Sequence, residues 1–424
     1  MRTFLLTLLL LTALTCFAQD ITSLFECHEA AVENHPLAGQ KELIISSHDL
    51  TRENINSSYY PSASINAQAH WQSEVTKIPF EGMPGMAIEE LDNDMYKATL
   101  DINQLIYDGG MTGSRKALEA SALKTDLQEL EVELYVLKER VNRLYFSILL
   151  AREKIRILDL EAEVLESRLR EAASAVSHGV MLAADKNMLE AGLLKVQQSK
   201  EEASLELESL FSMISELTGL DISENTILEI PFVPETGLEY INRRPETDLF
   251  GYRLEELDAR KKTLNSSLRP SLAGFGQAGY GRPGLNMLEN KFDDFYVIGA
   301  RLTWRFWDWH STKREKQILD LNREMINRQK ETFDKNLLIS AQGKSAEIRK
   351  MAGMLETDVK LIELRESITK TYASQLENGI ITASDYLAEL NAEMTARMDM
   401  EIHRIRYAMA KVEYLTITGN INRK

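Results

Sequence analysis

The chain has 424 residues, with 49 Lys and Arg against 65 Asp and Glu and a net charge of −16. So acidic a protein argues against nucleic acid as a partner and for a solvated, cation-attracting surface. With Cys16 in the leader described next, Cys27 stands alone in the mature chain and no internal disulfide can form.

Arg2, an apolar run from Phe4 to Leu14 and the small-x-Ala pattern Cys16-Phe17-Ala18 predict a secretory signal peptide over 1–18. Leu14 and Thr15 are poor neighbours for lipidation of Cys16. No later stretch approaches the roughly 18–20 apolar residues that a membrane-spanning helix needs, so any membrane anchor has to be built from strands.

Pro36 and Pro61 recur as Pro245 and Pro270, both displaced by 209. Asp108, Gly179, Asp185 and Thr218-Gly219 recur as Asp308, Gly379, Asp385 and Thr418-Gly419, all displaced by 200. Anchors in one order at a nearly constant offset predict two copies of one unit, 19–220 and 241–424, joined by a linker over 221–240 that carries Pro231 and Pro234.

Each copy opens with a helix and passes into strands at its second proline. Near 61–71, Ala63, Ile65, Ala67, Ala69 and Trp71 alternate with Ser62, Ser64, Asn66, Gln68 and His70. Near 96–107, Tyr96, Ala98, Leu100 and Ile102 oppose Lys97, Thr99, Asp101 and Asn103. The second copy places strands near 270–280, glycine-rich and with Phe275 on the inward face, and near 296–307. Period-two alternation of this kind predicts strands with one apolar and one polar side. Trp71, Tyr96, Tyr280, Tyr296, Trp304, Trp307 and Trp309 fall toward strand ends, the placement of a membrane aromatic girdle. The acidic segment Glu81–Asp94 between the first two strands reads as a solvated outer loop.

Helical hairpins are expected over 109–217 and 309–418. In the first, Leu123, Leu127, Leu130, Leu134 and Leu137 begin a four-and-three spacing that continues to Val176, the seam of a coiled coil. A helix from Gly109 to Ser177 reaches about 100 Å at ~1.5 Å per residue, too long for a compact globule. The hairpins turn near 178–179 and 378–379, where Gly ends one helix and an Asp six residues on caps the next.

Four strands cannot close a barrel, and lipid does not tolerate an open edge, so several chains have to share one. Two chains would give eight strands and a plugged interior, whereas three give twelve and a passage.

The ordered set Asn34-His35-Pro36 and Arg243-Arg244-Pro245, Pro61 and Pro270, Tyr107-Asp108-Gly109-Gly110 and the Gly-to-Asp tips resembles the TolC family of outer-membrane efflux proteins over essentially the whole mature chain. The resemblance implies a mainly α fold with transmembrane β: long antiparallel coiled-coil hairpins forming a periplasmic tunnel, plus four strands per protomer contributing to a trimeric 12-stranded outer-membrane barrel. It implies a Gram-negative outer-membrane location, a passive conduit for efflux or type I secretion, and partners in a periplasmic adaptor and an inner-membrane transporter. Carried onto this chain, adaptor docking falls at the tips, on His178, Gly179, Val180 and Asp185 and on Asn378, Gly379, Ile380 and Asp385. Lys186 and Tyr386, which follow the two Asp residues, and Trp309-His310 in place of a Gly pair depart from the pattern.

Nothing points to an enzyme, a cofactor or a metal centre. His28 and His35, seven apart on one expected helix, lack a third ligand and read as surface or interface residues; His70 faces the lumen and His310 sits at a strand end. The alternative to a duct is a barrel-anchored structural or adhesive coiled-coil protein, which would show one stalked repeat in place of two. A soluble periplasmic adaptor would lack the girdled strands.

Overall fold

The computed structural model describes residues 21–75, 91–234 and 238–421; the expected leader and most of the acidic loop, including Glu89 and Glu90, lie outside them. In chain order the elements are β1 (Ile21–Thr22), α1 (Leu24–Asn34), a 3-10 turn (Pro36–Gly39), α2 (Gln40–Ser57), β2 (Ser62–Trp71), β3 (Asp94–Tyr107), α3 (Met111–Ser177), α4 (Ala183–Thr218), β4 (Ile227–Leu228), α5 (Pro245–Ser266), β5 (Ser271–Arg282), β6 (Asp293–Thr303), α6 (Ser311–Glu377) and α7 (Ala383–Thr418). α3 and α6 have 67 residues each, and α4 and α7 have 36 each. None of the described helices is long and apolar enough to cross a membrane.

The chain folds as two compact units. One comprises Met1–Gln40, Glu129–Asp248 and Lys330–Lys424; the other comprises Lys41–Gln128 and Leu249–Gln329.

The first unit is a helical bundle with a continuous apolar core. The four-and-three seam of α3 is buried or half-buried along its whole length, with Leu130, Leu134, Leu137, Val141, Ile148, Leu158 and Leu165 fully inside. Tyr145 and Phe146, outside that seam, are also fully buried, so α3 packs on more than a two-position stripe. Around them gather Leu24, Cys27 and Ala31 of α1, Phe211 and Ile214 of α4, and Ile405 and Val412 of α7. Burying an aromatic side chain of this size stabilises by about 1.5–3 kcal/mol. Burial also pushes the Cys27 thiol up to about 12, which makes it an inert core residue.

Within the expected linker, residues 221–234 are packed: β4 pairs in parallel with β1, and Ile222, Leu228 and Val233 enter the core.

The N-terminal histidines do not share a helix face. His35 ends α1 in extended geometry, where its Nδ1 accepts from the Leu37 amide that opens the 3-10 turn. His28 is buried, not at the surface: its Nε2 lies 2.7 Å from Asn142 Oδ1, and Asn142 in turn donates to Thr416 Oγ1. Desolvation drives the His28 pKa down to about 4, so the ring is neutral at ordinary pH.

The Asn34-His35-Pro36 and Arg243-Arg244-Pro245 segments each meet a Thr-Gly pair at the end of a hairpin. Asn34 Nδ2 donates to the Thr218 carbonyl at 2.8 Å, and the Arg243 amide donates to the Thr418 carbonyl at 2.8 Å. Gly419 is required there, because a Cβ would come within 2.3 Å of the Arg243 backbone.

The second unit joins a four-stranded antiparallel sheet, ordered β2-β3-β5-β6, to the helix segments that feed it. Those segments are held largely by polar contacts. His48 bridges Glu119 and Asp126, Lys124 meets Glu255, and Lys261 meets Asp320. Ser114 and Ser266 hydroxyls touch at 2.7 Å, which brings α3 and α5 close. At the strand-to-helix return, Asp108 accepts from the Gly110, Met111 and Thr112 amides. Partial burial opposes its charge, but bonds from Thr112, Tyr59 and Gly110 hold the carboxyl below the ordinary range. The turn into α6 has the same left-handed geometry without glycine: Trp309 and His310 take φ of +54° and +62° where the turn into α3 has Gly109 at +67° and Gly110 at +85°.

Candidate functional site

The sheet carries one candidate surface. Its register aligns the alternating residues so that faces match across strands. Ile65 lies opposite Leu100, Ala63 opposite Ile102, Ala98 opposite Tyr280, and Gly276 opposite Ile298. One continuous apolar face results, and it is open to solvent, with Ile65 at 81% exposure and Ile298 at 80%. An exposed apolar surface of this extent marks an interaction with lipid or protein.

The seven aromatic residues expected at strand ends fall at the two ends of the sheet. Trp71, Tyr96, Tyr280 and Tyr296 lie at the end where β2 runs out and β3 begins, and Phe292 stacks on Tyr280 at 5.5 Å and meets Tyr96 at 6.1 Å. Trp304, Trp307 and Trp309 lie at the helix end. They are not strand residues, because β6 stops at Thr303 where its partner β5 begins at Ser271. Trp304 Nε1 donates to the Leu268 carbonyl at 3.1 Å, and Trp307 packs edge-on against Trp309. From Tyr296 to Trp304 the chain rises about 26 Å at ~3.3 Å per residue, near the lower end of the roughly 9–11 residues with which a tilted strand crosses a bilayer.

The other face is polar. Asn66 and Thr99 both donate to Asp101, and Gln277 also donates to that carboxylate. His70 lies on this side, 3.0 Å from Gln68. Its two phenylalanines are placed by glycines: a Cβ on Gly299 would meet the Phe275 ring at 2.7 Å, and one on Gly279 would meet Phe295 at 2.5 Å. Arg301 lies over Phe275 and Lys97 over Phe295, so each inward ring is covered by a cation. Where β3 begins and β5 ends, Asp92 and Asp94 of the expected acidic loop both pair with Arg282.

The hairpin tips form a second candidate surface, within the helical unit. Gly179 and Gly379 adopt φ of +78° and +68°, and each tip closes with the bond pair of a Schellman motif: Val180 N to Ala175 O with Gly179 N to Val176 O, and Ile380 N to Gln375 O with Gly379 N to Leu376 O. His178 and Asn378 bond back to the Ser174 and Ser374 carbonyls. Val180 at 75% and Ile380 at 70% exposure leave an apolar side chain at the apex of each tip.

Asp385 caps α7 as expected, in a capping box with Thr382, whose hydrogen bond holds the carboxylate below its ordinary range. Asp185 does not cap its own helix. Leu182 stands where a capping side chain would, and Asp185 Oδ1 instead accepts from the Ala383 amide of the other hairpin at 3.2 Å. Lys186 turns along α4 toward Glu190. Tyr386, at 1% exposure, is part of the core that the two hairpins share with Leu165, Leu189 and Leu390.

Sequence reasoning missed Arg168. It pairs with Glu171 and Glu377 and lies 5.7 Å from the Tyr386 ring, joining α3, α6 and α7 just behind the tips. These carboxylates hold its pKa above normal against the pull of burial. No local motif announces the contact, since Glu377 is 209 residues away. Among the described residues no group of three His, Cys, Asp or Glu could hold a metal ion.

No protein-family profile and no curated protein sequence matches the chain. Solved structures do. The outer membrane protein VceC of Vibrio cholerae superposes with a TM-score of 0.67 at 11% identity, over 93% of this chain and 96% of its own. The open state of the Neisseria gonorrhoeae MtrE outer membrane channel gives 0.68 at 14% identity, over 95% and 90%. The Campylobacter jejuni CmeC outer membrane channel gives 0.66 at 14%, over 94% and 86%. The chain has a TolC-like fold. Its long helical hairpins and four-stranded sheet are consistent with a helical tunnel plus a barrel, and among the described residues of one chain the sheet does not close.

Proposed function

We propose that the chain is one of three identical protomers of an outer-membrane exit duct in a Gram-negative bacterium. In this proposal the duct passively conducts substrates received from an inner-membrane transporter through a periplasmic adaptor. The observation that carries the proposal is the exposed apolar sheet face bounded at both ends by aromatic residues, backed by a polar face. Water is a poor solvent for the first and lipid for the second, so the sheet fits a wall between them.

A four-stranded sheet has two open edges, here β2 and β6. Because neighbouring strands alternate in direction, β6 of one copy runs antiparallel to β2 of the next, and the sheet can close on itself by repetition. Three copies give twelve strands and a lumen, whereas two give a filled barrel. Matching lengths of α3 and α6 and of α4 and α7 support reading 19–220 and 241–424 as two copies of one unit with 221–240 between them.

Docking of the adaptor is assigned to the tips, His178 to Asp185 and Asn378 to Asp385, whose rigid turns and exposed Val180 and Ile380 suit a helical partner. The named solved relatives are outer-membrane proteins and channels, which agrees with this location and role.

Detergent extraction of outer-membrane fractions tests the duct. A heat-resistant species of three times the chain's mass is expected, and a monomer in the soluble periplasm would sink the proposal. Reversing the charge at Asp185 and Asp385 should abolish export at normal trimer levels; unchanged export would remove the docking role.

A further inference from the structure

The two halves of the chain repeat each other in strand register as well as in length. In the first hairpin Ser62 lies opposite Asn103; in the second Ser271 lies opposite Thr303, with both members displaced by the same 209 and 200 residues that relate the prolines and the tips. Trp71 opposite Asp94 likewise becomes Tyr280 opposite Asp294. Even a side-chain contact repeats: Ser62 Oγ donates to the Asn103 carbonyl at 3.4 Å, and Ser271 Oγ to the Thr303 carbonyl at 3.4 Å.

β3 and β5 form the seam between the halves within one chain. Its counterpart, β6 against β2, is not formed within a chain, because both strands are edges. Applying the same displacements to the β3–β5 register yields the missing one. Leu100 opposite Ala278 becomes Ala300 opposite Ala69, Ala98 opposite Tyr280 becomes Ile298 opposite Trp71, and Asp101 opposite Gln277 becomes Arg301 opposite Gln68.

We infer that the edge strands of neighbouring copies of this chain pair in that register, Ala300 against Ala69, so that each copy completes the β6 strand of the one before it. The inference rests on the exit-duct reading and specifies its partner surface.

Three observations agree with it independently of the arithmetic. Faces match, since Ala300, Ile298, Ala69 and Trp71 all lie on the exposed apolar side; a slip of one residue would put every side chain on the wrong face. Chemistry matches, because Gln68 has a carbonyl for the Arg301 guanidinium, where Gln277 offers its amide to Asp101. Length matches too. β3 uses Gln104 to Tyr107 to pair with Leu272 to Gly274, whereas the corresponding Trp304 to Trp307 lies beyond the end of β6 and outside the sheet ladder. In the inferred seam these residues meet Ala63 to Ile65 of the next copy.

Cysteine pairs placed in the full-length protein test the register. Opposed Cβ atoms in an antiparallel pair sit about 4.5–5.5 Å apart and diagonal ones about 7–8 Å, so only directly opposed thiols oxidise readily. Ala69→Cys with Ala300→Cys, treated with copper phenanthroline in outer-membrane fractions, should link neighbours into a covalent species of three chains that survives boiling and collapses with reductant. Ala67→Cys or Trp71→Cys combined with Ala300→Cys should link roughly tenfold less. Gln68→Cys with Arg301→Cys repeats the test from the polar face, so access of the oxidant to one face does not decide the result.

If a shifted pair links best, or the matched pairs fail while the native heat-resistant trimer is present, the register is wrong and the duct stands. If the unsubstituted chain is itself monomeric, both fall.

Discussion

The two hairpin tips have the same length, the same left-handed glycine and the same Asp six residues later, yet they are held in different ways. The second is self-sufficient: Thr382 and Asp385 satisfy each other's backbone amides at the start of α7. The first has Leu182 at the capping position, and its Asp185 is spent on the neighbouring hairpin. The difference teaches that one missing capping hydroxyl turns a local device into a cross-link. The first hairpin depends on the second for the placement of its acid, and the second gains a further acceptor at its N-terminus, where the helix dipole favours negative charge.

The largest effect on this pair should come from the residue behind both. Arg168→Ala removes the group that joins Glu171, Glu377 and Tyr386, and charged hydrogen bonds of this kind contribute about 2 kcal/mol. Hydrogen exchange in both tips should speed up by roughly thirtyfold; a change confined to one tip would show that Arg168 does not couple them.

Next come the glycines. A Cβ on either Gly179 or Gly379 would meet nothing within 4 Å, so Gly→Ala should cost about 1 kcal/mol in each, from backbone conformation alone. Unequal losses, read by local exchange, would mean that the tips differ in backbone as well as in capping.

The capping residues sharpen the contrast further. Thr382→Ala should weaken the second tip by roughly 1 kcal/mol. Leu182→Thr should give the first tip its own box and draw Asp185 back, protecting the amides of 182–185 while exposing that of Ala383. If exchange at Ala383 is unchanged, the Asp185 contact contributes nothing in solution.

The smallest effect is that of pH. The Asp385 pKa is depressed by its bond to Thr382, so the stability it lends is fully present above the ordinary carboxylate value near ~4 and is lost as pH falls through the lower folded value. Acid should therefore loosen the amides of 382–385, and Thr382→Ala should remove that acid dependence.

Much of this architecture was legible in the residues. The four-and-three apolar spacing of α3 marked its buried side because coiled helices repeat every ~3.5 residues, and the alternation of β2 and β3 marked the two faces of the sheet because strands repeat every two. The glycine-rich β5 was harder to read. Gly279 and Gly281 carry no hydrophobic signal, and their meaning appears only when the Phe295 ring and the β3 backbone are seen to occupy the space of their missing side chains. Arg168 and His28 were illegible for another reason. A surface arginine on a long acidic helix and a histidine near an N-terminus look alike whether solvated or buried, and only their distant neighbours decide.

By itself the sequence determined the local periods, the helix stops and the positions of the turns, because each depends on residues within a turn or two of one another. The tertiary structure alone decided which carboxylate caps which helix, which polar groups are buried, and the order β2-β3-β5-β6 that leaves β2 and β6 open. Those outcomes depend on contacts between residues far apart in the chain, whose energies exist only once the backbone has brought them together.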